Sequence, residues 1–168
     1  MRSRVIVFVV GLALLVGIWQ RWPSDQRRIK ALVGEIAGAF DGRTVANELE
    51  RAARLAPLAR VLAPDVVVDG FAADGRVADA ALAGRDAVIG AAAGALRLAP
   101  DLTIRVEDVV VTVAPRASQA SAIAGIVVSS AAGDAGGWRD IREVQFELSR
   151  REDHWLVTRV TPIQALQR

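Results

Sequence analysis

Val144-Gln-Phe-Glu-Leu-Ser-Arg-Arg-Glu-Asp-His-Trp-Leu-Val157 reads as two strands and the turn that joins them. Val144, Phe146 and Leu148 alternate with Gln145, Glu147 and Ser149, the period of two expected of a strand with one buried and one wet face. Arg151-Glu-Asp-His154 is a tight polar turn, and Trp155 to Thr161 resumes the strand. Run backwards, the same parity puts Trp138, Asp140 and Arg142 on the face of Val144 and Phe146.

Upstream the chain stays sheet-like as far as Leu102. Leu102, Ile104 and Val106 alternate with polar neighbours, then the parity switches at Glu107-Asp108 to Val109, Val111 and Val113. Such a slip predicts a β-bulge. Ser121 to Ser130 and Trp138 to Arg150 are two further strands, and Ala131-Ala-Gly-Asp-Ala-Gly-Gly137 between them is a hairpin tip.

Before Leu102 the period changes to that of helices. Ile29, Leu32, Val33, Ile36, Ala37 and Phe40 form one apolar stripe, with Ser24 as N-cap and Asp41-Gly42 as the stop. Thr44 is placed to cap a second helix carrying Val45, Leu49, Ala52 and Ala53. Pro57 interrupts it before Leu58, Val61 and Leu62 continue the apolar face. Asp65-Val-Val-Val-Asp69-Gly70 is a short strand, and Gly84-Arg-Asp86 opens a third helix with Val88, Ile89, Ala92 and Leu96. The predicted order is α-α-β-α-β-β-β-β, an α+β layout of three helices against one face of a strongly curved antiparallel sheet.

The first 22 residues differ in kind. Arg2 and Arg4 precede an uncharged run from Val5 to Trp19 that includes Phe8, Leu12 and Leu15, closed by Gln20, Arg21 and Trp22. As helix, Val5 to Trp22 is about 27 Å long, enough to cross a hydrocarbon core. Trp19 and Trp22 suit the headgroup region, and Arg21 can snorkel out of the apolar layer. A cleaved export signal is the alternative, but Ile18-Trp19-Gln20 lacks the small-x-small pattern of a cleavage site. The expectation is a single-span anchor over residues 1–22 and one domain over 23–168. A short basic tail ahead of a long domain favours a bacterial-type inner membrane with the domain on the extracytoplasmic, periplasmic side.

The formal charge of +2 comes from the leader, because 18 basic and 19 acidic residues follow Trp22. No basic run with interleaved aromatics is present, which argues against a nucleic-acid partner. The absence of cysteine excludes disulfides and thiolate metal sites, and a lone histidine makes a zinc site improbable.

Three segments together resemble the nuclear transport factor 2-like superfamily, the cone shared with ketosteroid isomerase-like and polyketide cyclase-like domains. They are Ala63-Pro-Asp-Val-Val-Val-Asp-Gly70, Gly84-Arg-Asp-Ala-Val88 and the closing hairpin Val144 to Val157. The match spans about residues 25 to 165. It implies a pocket between helices and concave sheet, and no single activity, since the fold hosts enzymes, binders and assembly domains. The convex face of such sheets often pairs two copies. Here Arg105, Glu107, Glu143, Gln145 and Glu147 look solvated and argue mildly against an apolar homodimer face.

Catalytic chemistry inside such a cone needs an acid or base and a facing donor. The isomerase-like branch implies a carboxylate with a tyrosine-type donor, and this chain has no tyrosine. The dehydratase-like branch implies an Asp/His pair, whereas His154 sits in a turn where it is most simply solvated. The expected pocket residues are Phe40, Asp69, Trp138, Asp140, Arg142 and Phe146, with Asp69 or Asp140 near Arg142 either orienting a small polar group or forming a rim ion pair. No catalytic residue, metal or cofactor is expected. The small residues of Ile89 to Leu96 and Ser121 to Val128 are expected to let backbones pack closely, the alternative being an apolar cavity. Two functions are carried forward. One is a non-enzymatic accessory subunit of a membrane protein assembly. The other is a binder or carrier of a small apolar ligand near the bilayer.

Overall fold

The computed structural model describes residues 25–42, 47–70, 81–114, 118–131 and 137–163. Three helices pack on one face of a curved sheet: α1 (Asp25–Gly38), α2 (Glu48–Val61) and α3 (Arg85–Leu98). The strands are β1 (Leu62–Val68), β2 (Leu82–Ala83), β3 (Thr103–Val113), β4 (Gln119–Ser130), β5 (Trp138–Arg151) and β6 (His154–Ile163), in the spatial order β2-β1-β6-β5-β4-β3. β1 runs parallel to β6, and every other neighbouring pair is antiparallel. The layout is the expected α+β one, with β2 as an added two-residue edge strand.

The closing hairpin forms as its sequence dictates. Arg151 pairs with His154, and Glu152 and Asp153 both take positive φ, the geometry of a tight turn matched to strand twist. The bulge also lies where the parity slips. The register of β3 on β4 shifts between Glu107 and Val110, and Asp108 has φ 50°. That extra residue turns Val109, Val111 and Val113 back towards the core already packed by Ile104 and Val106.

Two helical details differ from expectation. The N-cap of α2 is Asn47, whose Oδ1 accepts from the Glu50 amide at 2.9 Å, while Thr44 lies outside the described residues. Pro57 does not break α2, which runs unbroken to Val61. A proline inside a helix costs about 3 kcal/mol. Burial of Leu55, Leu58 and Val61 on the same helix offsets it, at about 1.5–3 kcal/mol for each such side chain.

The core fills one end of the cone. Ile29 and Val33 of α1, Leu55 and Leu58 of α2, and Ala120, Ala122, Ala124, Leu148, Trp155 and Val157 of the sheet are buried there. Trp155 Nε1 donates to Asp25 Oδ1 at 3.1 Å and Arg150 lies 3.7 Å from the same carboxylate, so the start of α1 is fastened beside the β5–β6 turn. At the opposite end Phe40 follows α1 and accepts through its carbonyl from the Ile104 amide at 2.8 Å. Among the described residues no helix is long and apolar enough to cross a membrane, and the Val5 to Trp22 stretch lies outside them.

Candidate functional site

Beyond the packed end the helices and the sheet diverge and leave a half-open cavity of about 740 Å³. Its size falls within the ~300–1,000 Å³ range of sites that hold small organic molecules. The C-terminal half of α1 contributes Val33, Ile36 and Ala37 to the wall, and Phe40 follows just beyond its end. The sheet contributes Ile104, Val106, Ile126, Val128, Val144, Phe146 and Val160. Opposite them α3 lays Val88, Ala91, Ala92, Ala95 and Leu98 along one side, a helical stripe at i, i+3, i+4, i+7 and i+10.

The alanines decide that a cavity exists. On α3 the only buried residue is Leu96, and its packing partners are α2, β1 and β2 rather than the long strands. A Cβ added at Gly90 or Gly94 would meet nothing within 4 Å. Close packing of α3 on the sheet, expected from its small residues, forms only at the β1–β2 edge, and the cavity separates Ala91, Ala92 and Ala95 from the long strands. On β4 the same residue type behaves as expected: Ala120 is buried, and Ala122 and Ala124 are fully enclosed in the core. Reading small residues alone does not separate the two cases.

Five of the six expected pocket residues come together. Phe40 and Phe146 are buried in the wall, and Trp138, Asp140 and Arg142 follow one another along the inner face of β5 towards the mouth. Trp138 is 49% exposed and Leu98 73% exposed, which marks the open side. Asp69 departs from the expectation. Its Oδ2 accepts from Arg159 Nη1 at 3.0 Å and Thr161 Oγ1 at 3.2 Å, and it is not part of the cavity wall. The partners explain the direction: Val160 lines the cavity, so its neighbours Arg159 and Thr161 point to the other face of β6 and hold Asp69 there.

Polarity in the wall is confined to one place. Among the described lining residues only Trp138, Asp140 and Arg142 carry polar side-chain atoms. Arg142 Nε and Nη2 both lie 2.5 Å from Asp140 Oδ2, and Arg142 Nη1 is enclosed without a hydrogen-bond partner among the described residues. A charged pair at about this spacing is locally neutral. His154 is exposed at the far turn, and the described residues contain no cluster of His, Cys, Asp or Glu able to hold a metal. The arrangement is suited to holding an apolar body with one polar end.

No protein-family model and no curated protein matches the chain. Solved structures do. An uncharacterised protein with a cystatin-like fold from Caulobacter vibrioides superposes with a TM-score of 0.61 at 15% identity, over 80% of this chain and 85% of its own. An NTF2-like protein of unknown function from Pseudomonas putida gives 0.61 at 13% identity, over 84% and 87%. An NTF2-like protein with a cystatin-like fold from Novosphingobium aromaticivorans gives 0.55 at 16%, over 91% and 87%. The fold of the described domain is thus the nuclear transport factor 2-like cone.

Proposed function

We propose that this chain is a membrane-tethered, non-enzymatic binder of a small hydrophobic molecule. The observation that carries the reading is the cavity, about 740 Å³ and walled by aliphatic and aromatic side chains from every layer of the fold. Each methylene moved from water into such a space is worth about 0.8 kcal/mol. Support for the tether comes from the sequence: an apolar run bracketed by Arg2, Arg4, Trp19, Arg21 and Trp22, suited to a bacterial-type inner membrane. Only Pro23 and Ser24 separate Trp22 from Asp25, which is fastened at the packed end of the cone. With residues 1–22 in a bilayer, the packed end lies near the lipid and the mouth opens away from it.

The test is the full chain purified in lipid nanodiscs, with bound lipophilic molecules extracted and identified by mass spectrometry against empty discs. Ala95→Trp places an indole in the cavity from α3, where only Leu96 is buried. The expected result is a molecule enriched with the native chain and lost from the folded variant. Equal recovery from both, or none from either, overturns the reading.

A docking subunit of a membrane assembly is the second reading. Its support is the outer sheet face, where exposed Val110 stands opposite Ile123 and exposed Ile141 opposite Val127. Co-purification of the full chain with other membrane subunits, with an empty cavity, favours it.

A further inference from the structure

The polar trio at the mouth defines what kind of polar end the cavity takes. From its geometry we infer that the site selects an apolar alcohol over the carboxylate of the same chain length; this rests on the ligand-binding reading above. Arg142 is the cation an acid would seek, but of its five N–H groups two are turned onto Asp140 and two more sit on the enclosed Nη1, which leaves one on Nη2. Nε and Nη2 converge on Asp140 Oδ2 at 2.5 Å, and Nη1 is enclosed by protein and out of a ligand's reach. The larger open capacity belongs to Asp140. Its Oδ1 has no partner among the described residues and is not among the enclosed atoms, and its side chain is 39% exposed on the cavity wall. An unpaired carboxylate oxygen accepts only, so the matching group must donate.

Charge points the same way. A carboxylate entering beside Asp140 meets a like charge whose counter-ion is already engaged, and it leaves water for at most the one remaining N–H of Arg142 Nη2. A hydroxyl donates to Oδ1, carries no charge to desolvate, and leaves its chain against Val144, Phe146 and the alanines of α3. The alcohol end therefore sits at the mouth and the chain points inward.

Dodecanol and dodecanoate, each with a diazirine at the chain terminus, provide the experiment. Each is offered to the full chain in nanodiscs, photolysed, and the labelled residues mapped by peptide mass spectrometry. The alcohol is expected to label the wall around Phe40 and Phe146 about tenfold more than the acid, the scale of one hydrogen bond to a charged group. Asp140→Ala frees the guanidinium, and the preference should then turn towards the acid. The double variant Asp140→Ala/Arg142→Met removes the pair without leaving a lone charge and should label with both probes alike. Equal or acid-favoured labelling of the native chain overturns the inference and leaves the cavity reading standing. A preference for alcohol that survives in the double variant overturns it too. Absence of cavity labelling by either probe sinks both readings together.

Discussion

Asp65 and Arg151 show how a single pair far apart in sequence ties the fold. Arg151 Nη2 reaches both carboxylate oxygens of Asp65 at 3.1 Å, joining β1 to the end of β5. The guanidinium hydrogen bond holds the Asp65 carboxyl below its usual value of 3.8. A lowered carboxylate contributes stability that is fully present above the unfolded value and is lost as pH falls through the folded one. Being exposed, the pair adds little at neutral pH. Carboxyl NMR titration should give Asp65 a midpoint below 3.8, moving up towards 3.8 in Arg151→Gln. An unmoved midpoint in that variant would show that Arg151 is not the cause. Asp69 teaches a related lesson: the residue type suggested an inward carboxylate, but its partners on β6 lie on the other face.

At the level of elements, two stripes of alanine have opposite roles, and their mutants should differ in cost. Ala122 of β4 is fully buried, flanked by Val111 of β3 and Phe146 of β5. Ala122→Leu should cost about 1–3 kcal/mol through overpacking. Ala92 of α3 faces the cavity, so Ala92→Leu has room and should fall well short of that cost. Gly90 and Gly94 lie inside α3 with open space where a Cβ would stand. Each Gly→Ala change there should stabilise by about 0.4–1 kcal/mol, by narrowing the unfolded ensemble. Chemical denaturation of the set checks all of these, and a destabilised Gly94→Ala would mean that α3 packs more closely than described.

For the molecule as a whole, the consequential feature is polarity from end to end. Helix α1 spans about 21 Å from Asp25, beside the β5–β6 turn, to the level of the cavity. The native chain has no cysteine, so a label can be placed at one site at a time. Fluorophores at Leu98→Cys, on the mouth, and His154→Cys, at the packed end, report their depth through headgroup quenchers. With the leader in the bilayer, His154 should be quenched more strongly than Leu98, and deletion of residues 1–22 should release the domain from vesicles. Reversed quenching would turn the mouth towards the membrane, and retention after deletion would remove the leader from the account.

Strand parity, the bulge at Glu107-Asp108, the tight turn before His154 and the amphipathic stripe of α1 were all legible from residue order. Each depends on a periodicity that repeats within a few residues, and local backbone geometry enforces it. The same parity brought Trp138, Asp140, Arg142 and Phe146 to one face, and that part of the site needed no coordinates. Thr44 and Pro57 misled as boundary signals, because Asn47 supplies the described cap and buried neighbours carry the proline. Other features were settled only by the tertiary structure: the parallel pairing of β1 with β6, the outward turn of Asp69, and the cavity between α3 and the long strands. An alanine permits close approach and vacancy equally well. Which one results depends on how far apart distant elements are held, and no short stretch of chain encodes that distance.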